Sequence, residues 1–542
     1  QKIKITLFPQ GDCKMHTKLL LTASIALALA GNCFAAVKDG SYTTTVTGHN
    51  APLTVTVDIK NGKISDISVK DLESPGVGKV AIKQLSAEIK DHQTTKLDKI
   101  SGATITSFSL LGAVKQCLKQ AGAQGDEFNK PLPAADKSPI KDNADVVIVG
   151  GGGAGLASAV SALQNGASVI IVEKLGFLGG STNVCGGALN ASGTKYQKAL
   201  GIEDNPQKHF EQTMKGGHNV SDPKLVKVLA DNAPSALLWL ESMGLKFRPD
   251  VMQVYGALWP RSHLATEPKG TGFIRVLSTK AKELGVDIMT NTKLVKIIRE
   301  QFDEGRALGV MAERQGKPFY IRATKGIVLA AGGFAANPRL RAIHDPRMLT
   351  LTTTNNQACS TGEVMLAANE AGAYLMGLDY IQCIPGGVPG EKHAPNLFTH
   401  VDRFLFVNLD GKRFIKEDAR RDVLRDAMLD QPKAIAWTIV DADGFEQLKN
   451  SKGPENEVAL KTGTLYYADS IEDLAKKIGV PANNLKEAVD TYNKAVDTKK
   501  DPLGRAEGVL VNKIIKAPFY AGRVTMTVSY THLRAHETEA DL

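Results

Sequence analysis

The sequence predicts an α/β protein in which a small α+β domain precedes a Rossmann-like dinucleotide-binding domain. Two observations carry this prediction. Residues 37–123 alternate apolar and polar positions around the turn-forming pair Asn61-Gly62 and then become helical. Further on, the apolar residues Val146–Val149 run directly into a glycine-rich stretch, a helix and a second apolar strand. Since 542 residues exceed what one core accommodates, about two to four domains are expected.

Composition and charge exclude one class of partner. Hydrophobic residues make up 43% of the chain and charged residues 23%, as in ordinary soluble globular proteins. The net charge of +9 suits either general solubility or the attraction of anionic substrates and acidic redox partners. No run of Lys and Arg is dense enough for nucleic-acid binding, so no nucleic-acid partner is predicted.

Residues 15–36 have the pattern of an export signal. Met15 is followed by basic residues, an apolar stretch from Leu19 to Ala30 and small residues that end at Ala36. The apolar stretch is too short to form a stable membrane anchor. We therefore predict a signal peptide over these residues and a soluble, exported protein.

The cysteine spacing argues against a metal or haem centre. The chain has six cysteines, and two of them would be lost when the signal peptide is removed. The other four are far apart and predict buried free thiols: Cys117, Cys185, Cys359 and Cys383. Neither a C-x-x-C-H haem motif nor a zinc-ligand spacing occurs, so no metal site is predicted.

The stretch DKISGATITS, residues 98–107, concentrates hydroxyl groups in one loop. Gly102 permits a tight turn, and we expect a Ser or Thr hydroxyl to cap the helix that follows. A helix N-terminus also attracts anions, so a phosphate is a second candidate for this position. After that helix, residues 124–143 are rich in Pro, Asp and Lys and predict a linker.

The stretch after the linker has the spacing of a dinucleotide-binding fingerprint. Its glycine-rich run consists of Gly150, Gly151, Gly152, Gly153, Ala154 and Gly155. Gly150 permits the turn, Gly152 lets the backbone approach a pyrophosphate, and Gly155 lets the helix pack against the strand. Glu173 ends the second strand and is expected to accept hydrogen bonds from the ribose of an adenosine.

Two further glycine-rich segments favour a flavin over a nicotinamide cofactor. The first follows the second strand closely and contributes Gly180, Ser181, Thr182, Gly186 and Gly187. The second, residues 326–340, is an apolar strand that ends in Ala331, Gly332 and Gly333. One phosphate-binding loop serves a nicotinamide cofactor, whereas an additional glycine-rich loop suggests a backbone that wraps around a flavin.

Together, these three segments resemble the FAD domain of the fumarate reductase and flavocytochrome c family. Residues 360–373 and 406–418 match that family as well, and residues 98–104 match the covalent FMN-attachment motif D-x-x-[ST]-G-A-T. The resemblance covers residues 37–528, and the combination looks like the urocanate reductase group of enoate reductases. It implies that the small α+β domain binds FMN covalently through Thr104.

The resemblance also implies the arrangement of the rest of the chain. A non-covalent FAD is expected in a Rossmann-like FAD-binding domain over 144–378, into which an α+β capping domain over 379–516 is inserted. Residues 517–528 are expected to begin the return to the FAD-binding domain. Residues 529–542 depart from the family and suggest a foreign tail on a truncated chain. The implied FAD-binding residues are those of the glycine-rich segments together with Lys174 and Glu363.

The family's reaction assigns roles to further residues. Reduced FAD passes hydride to the β-carbon of an α,β-unsaturated carboxylate, while an arginine, which falls on Arg413, protonates the α-carbon. A gapless alignment places Ile384 where the family has a substrate-binding His. It also places Leu397 and His400 where the family has a relay Glu and Arg. His400 is either a surviving catalytic relay residue or a surface histidine. Because Ile384 and Leu397 are apolar, we predict a monocarboxylic enoate rather than fumarate.

The same resemblance implies partners. A flavin transferase would attach the FMN, and a membrane quinol-oxidising cytochrome would supply electrons for anaerobic respiration in the periplasm. The substrate would be a small unsaturated carboxylate. Two alternatives remain open. One is a flavoprotein dehydrogenase or desaturase that works in the oxidative direction, and the other is an FMN electron carrier whose FAD domain is degenerate.

Overall fold

The computed structural model of the protein describes residues 37–124, 127–132, 141–253, 258–302, 304–353, 360–391 and 393–530. The predicted signal peptide lies outside the described residues, as do Cys359, half of the predicted linker and the predicted tail from residue 531 onward. Within the described part of the chain, no helix is both long and apolar enough to cross a membrane.

The N-terminal domain is a three-stranded antiparallel sheet packed against two helices. Its elements are β1 (Gly40–Thr47), β2 (Pro52–Lys60), β3 (Lys63–Lys70), α1 (Gly78–His92) and α2 (Thr104–Gln120). Alternate residues of β2 are buried, because successive side chains of a strand point to opposite faces. The predicted turn at Asn61-Gly62 is confirmed, since both residues have positive φ and join the paired strands β2 and β3.

The second sheet has six strands and carries the glycine-rich segments. In spatial order its strands are β10 (Thr292–Arg299), β11 (Ala307–Arg314), β12 (Lys317–Leu329), β4 (Asn143–Val149), β5 (Val169–Val172) and β9 (Asp287–Met289). The last four strands are parallel, and helix α3 (Gly153–Gln164) connects β4 to β5. The carboxyl ends of β12, β4 and β5 therefore meet at one edge, where α/β sheets bind ligands.

An insertion that the sequence analysis did not predict lies between β5 and β9. Its elements are β6 (Ala188–Asn190), α4 (Lys195–Ala199), α5 (Pro206–Gly216), α6 (Pro223–Ser242), β7 (Phe247–Met252), β8 (Ser262–Ala265) and α7 (Thr271–Glu283). The three strands form a separate antiparallel sheet with β8 in the middle. A buried ion pair between Arg261 Nε and Asp204 Oδ2, 2.7 Å apart, joins β8 to the loop before α5.

The third sheet belongs to the capping part of the chain, which follows helices α8 (Pro338–His344) and α9 (Glu363–Glu370). Its strands are β13 (Gln382–Gly386), β14 (Leu405–Asn408), β15 (Ala436–Val440), β16 (Leu465–Ala468) and β17 (Phe519–Tyr530). The helices of this part are α10 (Arg421–Leu429), α11 (Ala442–Gln447), α12 (Lys449–Thr462), α13 (Ile471–Ile478) and α14 (Ala482–Thr498).

Strand β17 differs from the expectation that residues 517–528 begin a return to the FAD-binding domain. The strand instead lies at the centre of the capping sheet, where it pairs with β13, β15 and β16. Its Val524 and Met526 side chains are fully buried, and the strand is paired with a neighbour along each of its two edges. Ser529 and Tyr530 belong to the same strand, and the expected start of the tail at residue 529 therefore falls inside it.

The cysteines follow the prediction in part. Cys117 and Cys383 are buried free thiols, as predicted, whereas Cys185 is only half-buried. The described residues contain no group of three or more His, Cys, Asp and Glu side chains that would hold a metal ion.

Candidate functional site

A cavity of about 640 Å³ opens at the carboxyl ends of β4, β5 and β12. Most of the predicted FAD-binding residues line it: Gly150, Gly152, Gly153, Ala154, Glu173, Lys174, Gly180, Ser181, Thr182, Ala331, Gly332, Gly333 and Glu363. Residues that the sequence analysis missed also contribute, among them Thr292, Ser360 and Tyr374. Three glycine-rich segments that are far apart in the sequence thus meet around one space.

The turn after β4 depends on two glycines. Gly150 has a φ of 107°, and a Cβ there would lie 2.4 Å from the carbonyl oxygen of Ala330. A Cβ on Gly155 would lie 1.9 Å from the carbonyl oxygen of Gly150, so Gly155 lets α3 pack against the turn without lining the cavity. Helix α3 therefore begins beside the cavity, and a helix N-terminus is a favourable position for a pyrophosphate.

The residues of the second glycine-rich loop have two different roles. Thr182 lines the cavity, and its Oγ1 accepts a hydrogen bond from the Gly153 N–H at 3.2 Å, which joins the second loop to the first. Gly186 and Gly187, predicted as cofactor residues, are not part of the cavity lining. A Cβ on Gly187 would lie 2.1 Å from the carbonyl oxygen of Lys269, so this glycine permits close packing within the insertion.

Glu173 is a buried carboxylate in the cavity wall. It is 5% exposed, and its two oxygens accept hydrogen bonds from the N–H groups of Gly151 and Leu175, each at 2.7 Å. Burial raises the pKa of Glu173, although these N–H donors favour its charged form. Lys174 forms an ion pair with Glu363 across the cavity, with Nζ 2.6 Å from Oε1. The two predicted residues therefore connect β5 to the start of α9.

The hydroxyl-rich loop of the N-terminal domain ends at Thr104, the first residue of α2. The helix is preceded by Ala103, so the predicted Ser or Thr cap does not form. Thr104 is exposed, whereas Thr106 and Ser107 are buried. Thr106 Oγ1 donates to Glu73 Oε2 at 3.1 Å, and Ser107 Oγ donates to the carbonyl oxygen of Ala103 at 2.8 Å. Of the three hydroxyls on this turn, the one on Thr104 is accessible to an external reagent.

The same loop packs against the segment that follows the cavity-lining residues Glu173 and Lys174. Gly102 has a φ of 92°, and a Cβ there would lie 3.0 Å from a methyl group of Leu175 and 3.2 Å from the ring of Phe177. Leu175 and Phe177 directly follow the cavity-lining end of β5. The loop that carries Thr104 and the glycine-lined cavity are therefore neighbours in the fold.

Arg413 lies in a buried ion cluster and is not part of the cavity lining. Its Nε and Nη2 donate to Glu417 at 3.1 and 2.8 Å, and its Nη1 donates to Asp501 at 2.7 Å. The guanidinium also faces the ring of Tyr492. Burial by itself would lower the pKa of Arg413, but the charges of Glu417 and Asp501 outweigh burial and raise it. These contacts are those of a structural ion pair.

Another arginine of this region, Arg421, reaches the strand that carries Ile384. Arg421 begins α10, and its Nη1 donates to Gln382 Oε1 at 3.2 Å. Gln382 is 7% exposed, and its Nε2 has no hydrogen-bond partner among the described residues. Ile384 is half-buried on the same strand, where its carbonyl oxygen accepts from Thr527 Oγ1. A guanidinium and an unused buried amide donor therefore lie at the start of the strand that carries Ile384.

Ile384 and the other two predicted residues, Leu397 and His400, are not part of the cavity lining. Leu397 belongs to the hydrophobic core of the capping part together with Met526, whereas Ile384 pairs with Thr527. Because successive residues of a strand point to opposite faces, Leu397 and Ile384 lie on opposite sides of β17. His400 is half-buried and precedes a short 3₁₀ turn. Neither Leu397 nor His400 lines the cavity.

Comparison with known proteins identifies both nucleotide-binding parts. Residues 145–533 match the FAD binding domain family, and residues 48–119 match the FMN-binding domain family. An NADH:acrylate oxidoreductase of Vibrio harveyi is 31% identical over 558 aligned residues, which cover 91% of this chain and 55% of that protein. A urocanate reductase of Eggerthella lenta is 31% identical, with 91% of this chain and 82% of that protein aligned.

A solved structure has the same fold. The open conformation of a flavocytochrome c3 fumarate reductase matches with a TM-score of 0.61 at 30% identity, covering 76% of this chain and 73% of that chain. The predicted fold class is thereby confirmed, with an FMN-binding domain preceding an FAD-binding fold. The chain spans about half the length of the Vibrio relative. It belongs to the FAD-dependent oxidoreductase family of fumarate, acrylate and urocanate reductases, which act on C=C bonds.

Proposed function

We propose that this protein is an exported two-flavin reductase that saturates the C=C bond of a small α,β-unsaturated carboxylate. The observation that carries the proposal is the combination of two sites in one chain. A glycine-lined cavity suits FAD, and the exposed Thr104 loop, suited to FMN, packs against Leu175 and Phe177, which follow the cavity-lining Glu173 and Lys174 in the sequence. The relatives named for acrylate and urocanate support this choice of reaction. Export rests on the signal-like pattern of residues 15–36.

The residues around the cavity fit an FAD. The start of α3 would hold the pyrophosphate, and Glu173 would accept hydrogen bonds from the adenosine ribose. The first turn of α2 would hold the phosphate of an FMN esterified to Thr104. When bound, FAD supplies hydride to the substrate, and FMN supplies electrons to the FAD. The intact glycine cradle disfavours the alternative in which the FAD domain is a degenerate scaffold.

Replacing Glu173 with alanine should weaken FAD binding and leave covalent FMN unchanged. The substitution removes both a charge-assisted contact to the ribose and the acceptor that orders Gly151. The loss of such a contact lowers affinity about ten- to hundredfold. FAD content after dialysis measures the effect, and Glu283→Ala, a change on the exposed face of α7, is the control. An unchanged FAD content would exclude the ribose role.

Arg421 is the arginine that we propose to bind the substrate carboxylate and to protonate the α-carbon. It contacts the strand that carries Ile384, whereas the donors of Arg413 are engaged by Glu417 and Asp501. The unused Nε2 of Gln382 would donate a second hydrogen bond to the carboxylate. A guanidinium gives up a proton only to a strongly basic atom, such as the α-carbon once charge has developed there.

Ile384 is expected to select monocarboxylic enoates. A second carboxylate placed against this apolar side chain would lose hydration without gaining a partner, at a cost of about 1–3 kcal/mol, or about ten- to hundredfold in kcat/KM. Alkyl and aryl acrylates should therefore be better substrates than fumarate in assays with reduced viologen. Ile384→His should shift the preference toward fumarate, and Ile384→Val should not. A wild-type preference for fumarate would disprove this account of the pocket.

The partners follow from the same proposal. A flavin transferase would esterify Thr104, and a membrane quinol-oxidising cytochrome would deliver electrons to the FMN. Parallel assays with reduced and oxidised dyes separate this function from the alternative of a dehydrogenase. Turnover of a saturated acid with an oxidised dye, and no turnover of enoates with a reduced dye, would favour the dehydrogenase.

A further inference from the structure

The two threonines at the start of α2 differ in their surroundings: Thr104 is exposed, whereas Thr106 is buried and hydrogen-bonded to the carboxylate of Glu73. We infer that Glu73 is a positioning residue that directs flavin attachment to Thr104 by holding Thr106 inside the domain. The inference rests on the proposed attachment of FMN to Thr104 and adds the reason why the neighbouring threonine is not used.

Glu73 lies between β3 and α1 and is 3% exposed. Its Oε1 accepts hydrogen bonds from the N–H groups of His49 and Asn50 at 2.7 and 3.3 Å, and its Oε2 accepts from Thr106 Oγ1 at 3.1 Å. Among the described residues, no Lys or Arg forms an ion pair with it. A buried carboxylate without a cation is costly, and here three hydrogen bonds offset that cost.

Two glycines make room for this carboxylate. A Cβ on Gly48 would lie 2.8 Å from Glu73 Oε1, and a Cβ on Gly78 would lie 2.5 Å from Glu73 Oε2. Gly48 belongs to the turn between β1 and β2, and Gly78 begins α1. Glu73 therefore joins that turn and the start of α1 to the first turn of α2, where it holds the hydroxyl of Thr106 on the side of the helix that packs into the core.

The rotation of α2 decides which hydroxyl is presented. Residues two apart on a helix are separated by roughly 200° around its axis, so one of the two threonines faces outward when the other faces inward. Thr106 faces inward and donates a hydrogen bond to Glu73, and Thr104 is exposed.

The attachment reaction uses a flavin dinucleotide supplied through the transferase. Thr104 Oγ attacks the phosphorus of the FMN half, the P–O bond to AMP breaks, AMP leaves, and the hydroxyl proton passes to a base. No electrons are exchanged in this step. The Thr106 hydroxyl, buried and committed to Glu73, cannot reach that phosphorus.

The inference is tested by moving the attachment site in the full chain co-expressed with a flavin transferase. Residues 100–115 form one tryptic peptide, and its fragmentation distinguishes an FMN adduct on Thr104 from one on Thr106. Thr104→Ala alone should give only the background signal of the mass measurement, with no adduct on Thr106 above it. Adding Glu73→Gln, which leaves one accepting oxygen instead of two, should raise the Thr106 adduct at least about tenfold above that background. Glu73→Asp in the same background should do so as well, because its shorter side chain does not reach Thr106.

Two results would overturn the inference. One is an adduct on Thr106 in the Thr104→Ala protein, where Glu73 is intact. The other is the absence of a Thr106 adduct from both double variants when FAD content and unfolding temperature match those of the Thr104→Ala protein. Adding Thr106→Val to either double variant should abolish the new adduct. A wild-type protein without an adduct on Thr104 would instead contradict the proposed FMN attachment, so the two failures are distinguishable.

Discussion

Replacing Arg421 with alanine is expected to lower the kcat for enoate reduction by about 10²–10⁴-fold, as the loss of a proton donor does. Both flavins should remain bound and reducible, because Arg421 contacts Gln382 and is not part of the FAD cavity lining. Arg421→Lys should also lose most of the activity, since an ammonium group lacks the planar pair of donors that a guanidinium offers to an amide and a carboxylate. Steady-state assays with reduced viologen, alongside flavin spectra, measure both effects.

Two other arginines provide the comparison. Arg420 precedes Arg421 and pairs with Asp422 at the surface, so Arg420→Ala should retain the wild-type rate. Arg413→Ala should instead destabilise the protein by about 3 kcal/mol, because buried Glu417 and Asp501 would both lose this guanidinium, although Arg505 would still pair with Glu417. Thermal unfolding measures this loss. If Arg421→Ala kept the wild-type rate of enoate reduction and a folded Arg413 variant lost it, Arg413 and not Arg421 would be the proton donor.

Removing the Thr104 hydroxyl is expected to eliminate covalent FMN completely. Thr104 is the exposed threonine of the first turn of α2, and phosphoester formation requires its oxygen. In Thr104→Ala co-expressed with a flavin transferase, in-gel flavin fluorescence should disappear and the FMN mass should be missing from the tryptic peptide. FAD content should not change, because the cavity residues are untouched.

The matched control for this experiment is Thr106→Val. Thr106 and Thr104 lie on the same helical turn, but the Thr106 hydroxyl is buried against Glu73. Thr106→Val should therefore keep the adduct on Thr104. Persistence of a covalent flavin in Thr104→Ala at the wild-type level would show that another residue is the attachment point.

The FAD cavity could be predicted from the sequence because its determinants are local. Gly150 and Gly155 act within one strand–turn–helix unit, and Glu173 ends the strand that follows, so spacing alone locates them. Gly187 shows the limit of that reasoning. It belongs to a glycine-rich stretch as well, but it packs against the backbone at Lys269, a contact that the linear pattern does not contain.

The roles of Arg413 and Arg421 could not be distinguished from the local sequence pattern. The carboxylate of Asp501 that engages Arg413 is 88 residues away in the sequence, and nothing near Arg413 indicates that pair. One signal was present, since Arg421 lies just beyond the segment 406–418 that resembles the family and begins a helix that contacts β13. Strand β17 escaped prediction for the same reason as the Arg413 pair, because its partners lie in distant parts of the chain.

The central position of β17 has a consequence for biosynthesis. The carbonyl oxygen of Ile384 accepts a hydrogen bond from Thr527, which lies 143 residues later in the sequence. The capping sheet therefore cannot close until the ribosome has completed residues 519–530. The N-terminal domain and the parallel strands around the glycine turn contain their own partners and can fold earlier on the nascent chain. During this interval β13 and β15 expose the apolar edges that β17 later covers. A chaperone that recognises unpaired apolar strands should therefore bind the capping region of the nascent chain, and bind it only until β17 emerges.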